Sequence, residues 1–321
     1  MRRGPRQARG RAVDGILLLD KPIDMTSNAA LQRTKRLLDA RKAGHTGTLD
    51  PLASGLLPLC IGEATKLSRF ILSADKHYQV TAHLGVITET GDRDGEITEE
   101  RPVEQYDRAR IEAALQPFRG AIMQVPPMYS AVKQGGTPLY KLARQGQVVE
   151  REPRPVNVYE LTAGAQQGDS IDFEITCSKG TYVRTLIEDI GLELGCGAHV
   201  SALRRTRTGP FDVRDAHTLD EIDRLAQEGP EECDALLLPL DRALEHLPRV
   251  TVHPGAVRAL RAGQTVPARD AREGEWVAIY EAGQIAGPGG CLGVGEVLET
   301  GMITPRRLMR GARRPQPFDA D

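Results

Sequence analysis

The 321-residue chain has no run of eighteen apolar residues, and its arginine-rich N-terminus is not followed by an apolar stretch. Neither a membrane span nor a secretory signal is therefore expected. There is no C-x-x-C pair: the five cysteines, at 60, 177, 196, 233 and 291, are odd in number and scattered, which suits a reducing cytoplasm. Cys196 and His199 have a metal-like spacing but lack a second pair, so they read as structural and no metal is expected. A Walker loop and a glycine-rich dinucleotide loop are also missing, so neither a nucleotide energy donor nor a hydride carrier is indicated, and no cofactor is expected.

Nor is there an excess of positive charge. Lys and Arg number 42 against 44 Asp and Glu, a net −2, whereas nucleic-acid binders are more often basic overall. The charges are segregated, however. Arg2, Arg3, Arg6, Arg9 and Arg11 crowd the N-terminus, Arg204, Arg205 and Arg207 form a second cluster, and Arg306, Arg307, Arg310, Arg313 and Arg314 a third. Acidic residues gather at 89–104 and 220–234, so a nearly neutral chain can still carry a basic face. Residues 1–12 and 312–321 read as solvated, disordered tails.

What the sequence does have is a loop built to present a carboxylate. In Gly44-His45-Thr46-Gly47-Thr48-Leu49-Asp50-Pro51-Leu52-Ala53-Ser54-Gly55, three glycines permit positive φ or close backbone approach, and Pro51 biases Asp50 toward an extended conformation. The apolar run at 56–61 anchors the loop, and the planar ring of His45 is able to stack on a base. Local chemistry leaves alternatives open: Asp before Pro is often a turn or capping residue, and a catalytic carboxylate is the other reading.

Along the chain, residues 15–19 read as a buried strand ending at Asp20-Lys21-Pro22, and Ser27 is expected to cap a helix running to about Ala40. Residues 63–74 look helical. The strand expected at 76–84 places Tyr78, Val80, Ala82 and Leu84 on one face, so Tyr78 points inward. Then come a polar turn at 91–95, an amphipathic helix at 107–118, a proline-stiffened connector at 124–133, a short helix at 140–145, and strands near 155–163 and 170–177. A further helix reaches about Leu194, and an acidic, helix-prone stretch spans 218–247. Short strands expected at 276–280, 284–286 and 292–298, separated by glycine turns, suggest a small β barrel.

The run Lys42-Ala43-Gly44-His45-Thr46-Gly47-Thr48-Leu49-Asp50-Pro51 closely resembles the signature of the TruB family of tRNA pseudouridine synthases. Asp20-Lys21-Pro22 with Thr26-Ser27, Lys76-His77-Tyr78, residues 124–133, and Ser178-Lys179-Gly180-Thr181-Tyr182-Val183-Arg184 resemble further family motifs, over roughly residues 14–310. Asp24 departs from the glycine usual at its position. The resemblance implies an α+β catalytic domain at 13–247 on a mixed, largely antiparallel sheet, followed at 248–311 by a PUA-like β barrel. It implies that Asp50 is the catalytic nucleophile, that Arg184 pairs with it, and that Tyr78 packs against the target base and takes part in proton removal. His45, Lys21, Thr48, Asp92, Tyr182, Leu203, Arg204 and Arg205 are implied around the substrate and the RNA. The expected substrate is the T-arm stem-loop of tRNA, at position 55, with no obligatory protein partner and no membrane.

Two rival functions remain at this stage. One is an RNA-binding or tRNA-folding protein in which catalysis is incidental; the other is the guide-RNA-dependent relative that shares the catalytic motifs.

Overall fold

The computed structural model describes residues 10–267, 272–283 and 290–309. The two apolar runs that flank the central loop pair with each other. Gly15–Lys21 (β1) runs antiparallel to Ser54–Ile61 (β3), with Leu17 opposite Leu59 and Leu19 opposite Leu57, and the short Ala43–His45 (β2) pairs antiparallel with the C-terminal end of β3, His45 opposite Leu59. All four leucines are buried, each contributing on the order of 1.5–3 kcal/mol relative to exposure. The loop is therefore tethered at both ends to one rigid strand pair.

The expected strand 76–84 is Lys76–Leu84 (β4), and its inward face carries Val80, Ala82 and Leu84 as anticipated. The other long strands of this sheet are Gly120–Gln124 (β5), Arg154–Ala163 (β6), Ser170–Cys177 (β7) and Ala198–Thr208 (β8). In order across the sheet these run β1, β3, β8, β4, β7, β6, β5, with the two-residue His217–Thr218 beside β1. The β3–β8 and β1–His217 contacts are parallel and the other neighbours along this order antiparallel. This is the mixed, largely antiparallel sheet of the expected α+β class. The helix Val183–Leu194 packs on β8, and Ile187, Ile190 and Leu194 join the main core with Val80, Phe173 and Leu203.

Some local expectations need correction. Thr26, not Ser27, caps the first helix, its hydroxyl accepting from Ala29 N at 3.1 Å. That helix, Ser27–Leu37, ends before Ala40 because Asp39 adopts a positive φ of 44°. Residues 63–74 form a 3₁₀ turn, Gly62–Lys66, and a separate helix, Ser68–Ser73, rather than one helix. Arg11 is held by an ion pair to Asp234 and a bridge to Ala40, so order begins inside the expected tail. Residues 1–9 and 312–321 of the expected tails and the expected strand at 284–286 lie outside the described residues.

The C-terminal part is a five-stranded sheet in the order Arg249–Val252, Trp276–Glu281, Cys291–Val297, Met302–Leu308, Val266–Pro267, consistent with a PUA-like domain. It does not hang free. Ala278, Tyr280, Val294 and Met309 share one core with Ile16, Leu18, Leu56 and Cys60, and the Arg69 guanidinium lies 3.6 Å from the Trp276 ring centroid. The outer face of the β1–β3 pair is thus covered by the C-terminal sheet, while its inner face belongs to the main core.

Candidate active site

Gly47 and Gly55 bracket the carboxylate-presenting part of the loop, with φ of 92° and 102°. A Cβ at Gly55 would stand 2.2 Å from the Arg205 carbonyl, so only glycine lets β8 approach there. Between them, the Asp50 carbonyl accepts from Ala53 N at 3.1 Å and the Pro51 carbonyl from Asp24 N at 2.8 Å. Asp24 takes φ of 59°, the left-handed conformation that Asp tolerates better than most residues. Asp24 thus makes this turn without a glycine.

Arg184 arrives from the opposite side. The strand β7 ends at Cys177, Gly180 turns the chain with φ of 85°, and the helix Val183–Leu194 starts with Arg184 in its first turn. The start of this helix is clamped by the Gln124 amide, which accepts from Tyr182 N at 2.7 Å and donates to the Tyr182 carbonyl at 3.0 Å. The guanidinium, buried to 5% exposure, meets Asp50 Oδ2 at 2.9 Å through Nε and Asp92 Oδ2 at 3.2 Å through Nη1. It also donates to the carbonyls of Thr90 at 2.7 Å and Tyr129 at 2.8 Å. Asp92 is buried as well, accepting from Thr90 Oγ1 at 2.5 Å and Asp94 N at 3.1 Å.

Burial pushes the Asp50 carboxyl above its ordinary range; Arg184 is the main opposing influence, Asp92 adds to the rise, and Lys21 counters it. Burial likewise pushes the Tyr78 phenol up, with Arg205 beside it working the other way. The His45 ring is held toward neutrality by burial and by Arg205, and its Nδ1 is buried without a partner. The arrangement joins one partly accessible carboxylate, a buried cation that orients it, a neutral phenol and a neutral imidazole. Such a set can supply a nucleophile and aromatic surfaces.

The structure sorts the other expected residues. Thr48 is exposed at the loop tip and Tyr182 is half-buried. Leu203, with Leu52, Ser54 and Arg204, forms a wall of a cleft of about 660 Å³. Asp50 is not part of that wall, and the chemistry is centred on the Asp50–Arg184 pair, because volume alone supplies no nucleophile.

Lys21 and Arg205, expected near RNA, are interior, at 0% and 1% exposure. Lys21 Nζ donates to the carbonyls of Pro22 at 2.7 Å and Met25 at 2.6 Å and reaches that of Pro51 at 3.4 Å, and burial lowers its pKa to about 8. Arg205 donates to the carbonyls of Leu56 at 2.8 Å and Gly47 at 3.2 Å. Arg204 is engaged by Asp20 at 2.7 and 3.0 Å. Of the second arginine cluster, Arg205 is therefore loop scaffolding and Arg204 is paired, while Arg207 is exposed. Gln124, Thr90 and the Tyr129 carbonyl went unassigned in the sequence; the proline-stiffened 124–133 connector pointed toward the first and last, and the polar turn at 91–95 toward Thr90.

Among the described residues, no group of three or more His, Cys, Asp and Glu side chains is placed to hold a metal. None of the described helices is long and apolar enough to cross a membrane.

Comparison with known proteins identifies the family of the chain. The family described as "TruB family pseudouridylate synthase (N terminal domain)" matches residues 35–183, "tRNA pseudouridylate synthase B C-terminal domain" matches 184–245, and "Pseudouridine synthase II TruB, C-terminal" matches 248–309. The tRNA pseudouridine synthase B of Stutzerimonas stutzeri is 53% identical over 301 residues, covering 94% of this chain and 97% of its own. That of Nitrosococcus oceani is 50% identical over 304 residues, with 95% and 97% covered. Among solved structures, a Cbf5-Nop10-Gar1 complex aligns with a TM-score of 0.69 and 31% identity over 88% of this chain and 78% of that one. An H/ACA RNP bound to a substrate RNA aligns at 0.70 and 25% identity, covering 97% and 92%. With family matches running from residue 35 to 309 and relatives at about half identity over nearly the whole length, the chain belongs to the TruB family of pseudouridine synthases.

Proposed function

We propose that this protein converts uridine to pseudouridine in the T-arm loop of tRNA, at position 55, with Asp50 as the nucleophile. The observation that carries this reading is the 2.9 Å contact between the partly accessible Asp50 carboxylate and the buried Arg184. The reaction breaks the bond from C1′ to N1, turns the uracil, and joins C1′ to C5; the proton leaving C5 balances the one gained at N1. It is redox-neutral and needs no energy donor. What it requires is a group that stabilises or captures the sugar when the base detaches, and an ionised carboxylate serves. Arg184 opposes the rise that burial gives the Asp50 pKa and so favours its ionised form.

The target base must first leave its stack, at a cost of a few kcal/mol. Stacking on the neutral His45 ring and packing on Tyr78 offset that cost. As a neutral phenol, Tyr78 holds the turning base by contact and hydrogen bonding rather than by charge. Thr48, Tyr182 and Leu203 border the approach, whereas Lys21, Asp92 and Arg205 act from behind the loop. A stand-alone, cytoplasmic enzyme is favoured over a guide-RNA-dependent one because relatives named tRNA pseudouridine synthase B reach 53% identity, against 31% for the Cbf5 complex.

The test is pseudouridine formation by the purified protein alone on an unmodified T-arm stem-loop and on an anticodon stem-loop. Product in the T-arm RNA only is expected. Binding without product would favour an RNA-folding role, and product only after adding a guide RNA would favour the ribonucleoprotein type.

A further inference from the structure

Ser27 is 1% exposed, and both hydrogen bonds of its hydroxyl go to one residue of the catalytic loop. Its Oγ accepts from Leu49 N at 2.8 Å and donates to the Leu49 carbonyl at 3.0 Å. The helix that begins at Ser27 does not need this hydroxyl, because Thr26 already caps it. Leu49 N belongs to the peptide plane entering Leu49, and its carbonyl to the plane that contains the Asp50 Cα. A single side chain therefore fixes both planes just before the carboxylate. Arg205 grips the loop further out, at Gly47 and Leu56, and Lys21 reaches it beyond Asp50, at Pro51.

We propose that Ser27 is a positioning residue for the pseudouridine-forming reaction: by clamping Leu49 through both backbone groups, it sets the approach of the Asp50 carboxylate to Arg184 and to C1′ of the target nucleotide. This rests on the reading of Asp50 as nucleophile. Reacting groups misplaced by about 1 Å can lose on the order of 100-fold in rate, and an unclamped Leu49 frees Asp50 to move by that much. Asp50 displaced from Arg184 would also lose the influence that opposes its protonation.

The experiment measures kcat, KM and the pH dependence of kcat on T-arm RNA for the wild type, Ser27→Ala, Ser27→Thr and Ser27→Cys, with thermal unfolding in parallel. Ser27→Ala is expected to lower kcat by about 10- to 100-fold with KM nearly unchanged, and to move the acid limb of kcat to higher pH. Ser27→Thr keeps the hydroxyl and restores most of kcat. Ser27→Cys keeps the volume but weakens both bonds, gives an intermediate kcat, and decides the question should Ser27→Ala fail to fold. A folded Ser27→Ala or Ser27→Cys with wild-type kcat and acid limb overturns the proposal. So does a loss of kcat with an unmoved acid limb and no rescue by Thr, which marks a merely structural role. Wild-type turnover is measured first: its absence overturns the reading of the site, and the role of Ser27 with it, whereas an active wild type with an unchanged variant overturns the role alone.

Discussion

Two buried arginines flank the catalytic loop and hold it by different chemistry. Arg184 faces the carboxylates of Asp50 and Asp92, while Arg205 faces the carbonyls of Gly47 and Leu56. Both guanidiniums are almost wholly removed from solvent, at 5% and 1% residue exposure. A cation among carboxylates decides which of them stay charged; a cation among carbonyls decides where the backbone lies. For the Asp50 carboxylate, Arg184 thus bears on charge and Arg205 on the lie of its loop, and the two can be probed one side at a time.

The largest effect is expected on the charged side. Arg184→Gln leaves Asp50 and Asp92 facing each other without a cation, so turnover at neutral pH should fall by about 100- to 1,000-fold. The acid limb of kcat should move up: the active form of Asp50 is the ionised one, Arg184 lowers its pKa, and removing that influence raises it. A pH profile unchanged in Arg184→Gln would break the division of labour. On the other side, Arg205→Met strands two carbonyls, each worth about 1–3 kcal/mol when left unpaired and buried. Thermal unfolding should register this as a lowered midpoint, while the acid limb stays in place. Asp92→Asn gives a smaller, opposite signature. The Asp92 charge helps raise the Asp50 pKa, so neutralising it should shift the acid limb to lower pH, with turnover changed within about tenfold because Arg184 keeps its carbonyl partners. A limb moving upward in Asp92→Asn would mean that Asp92 acts chiefly by steering Arg184.

The sequence made one side of this comparison far more legible than the other. Arg184 was legible through the resemblance of residues 178–184 to a family motif, since a lone arginine early in a helix otherwise reads as a solvated charge, while the Leu49-Asp50-Pro51 loop between two apolar runs marks a presented carboxylate. Arg205 looked like one of three surface arginines because nothing local distinguishes a guanidinium bonded to distant carbonyls from one in water. Its strand, β8, was missed for the same reason: residues 198–208 carry His199, Arg204, Arg205 and Arg207, a polar reading that burial of Arg205 overrides. Lys21 was misplaced likewise, since its three carbonyl partners lie in two loops that only the fold brings together. Ser27 was read as a cap because it begins a helix, but its neighbour Thr26 competes for that place and wins. In the C-terminal part, short apolar segments separated by glycine turns disclosed the strands Trp276–Glu281 and Cys291–Val297, whereas the eight-residue helix Pro254–Arg261, which opens on Pro-Gly, was not expected.

On the reading proposed here, the Asp50 carboxylate, whose ionised form Arg184 favours, performs the chemistry and is not needed to hold the RNA. Asp50→Asn tests it with the least disturbance, since the amide preserves shape and removes only the charge. Pseudouridine formation and RNA binding are measured for both proteins under the same salt. The account predicts product from the wild type, none detectable from Asp50→Asn, and binding retained within a few-fold. Equal turnover by the two proteins would contradict it outright.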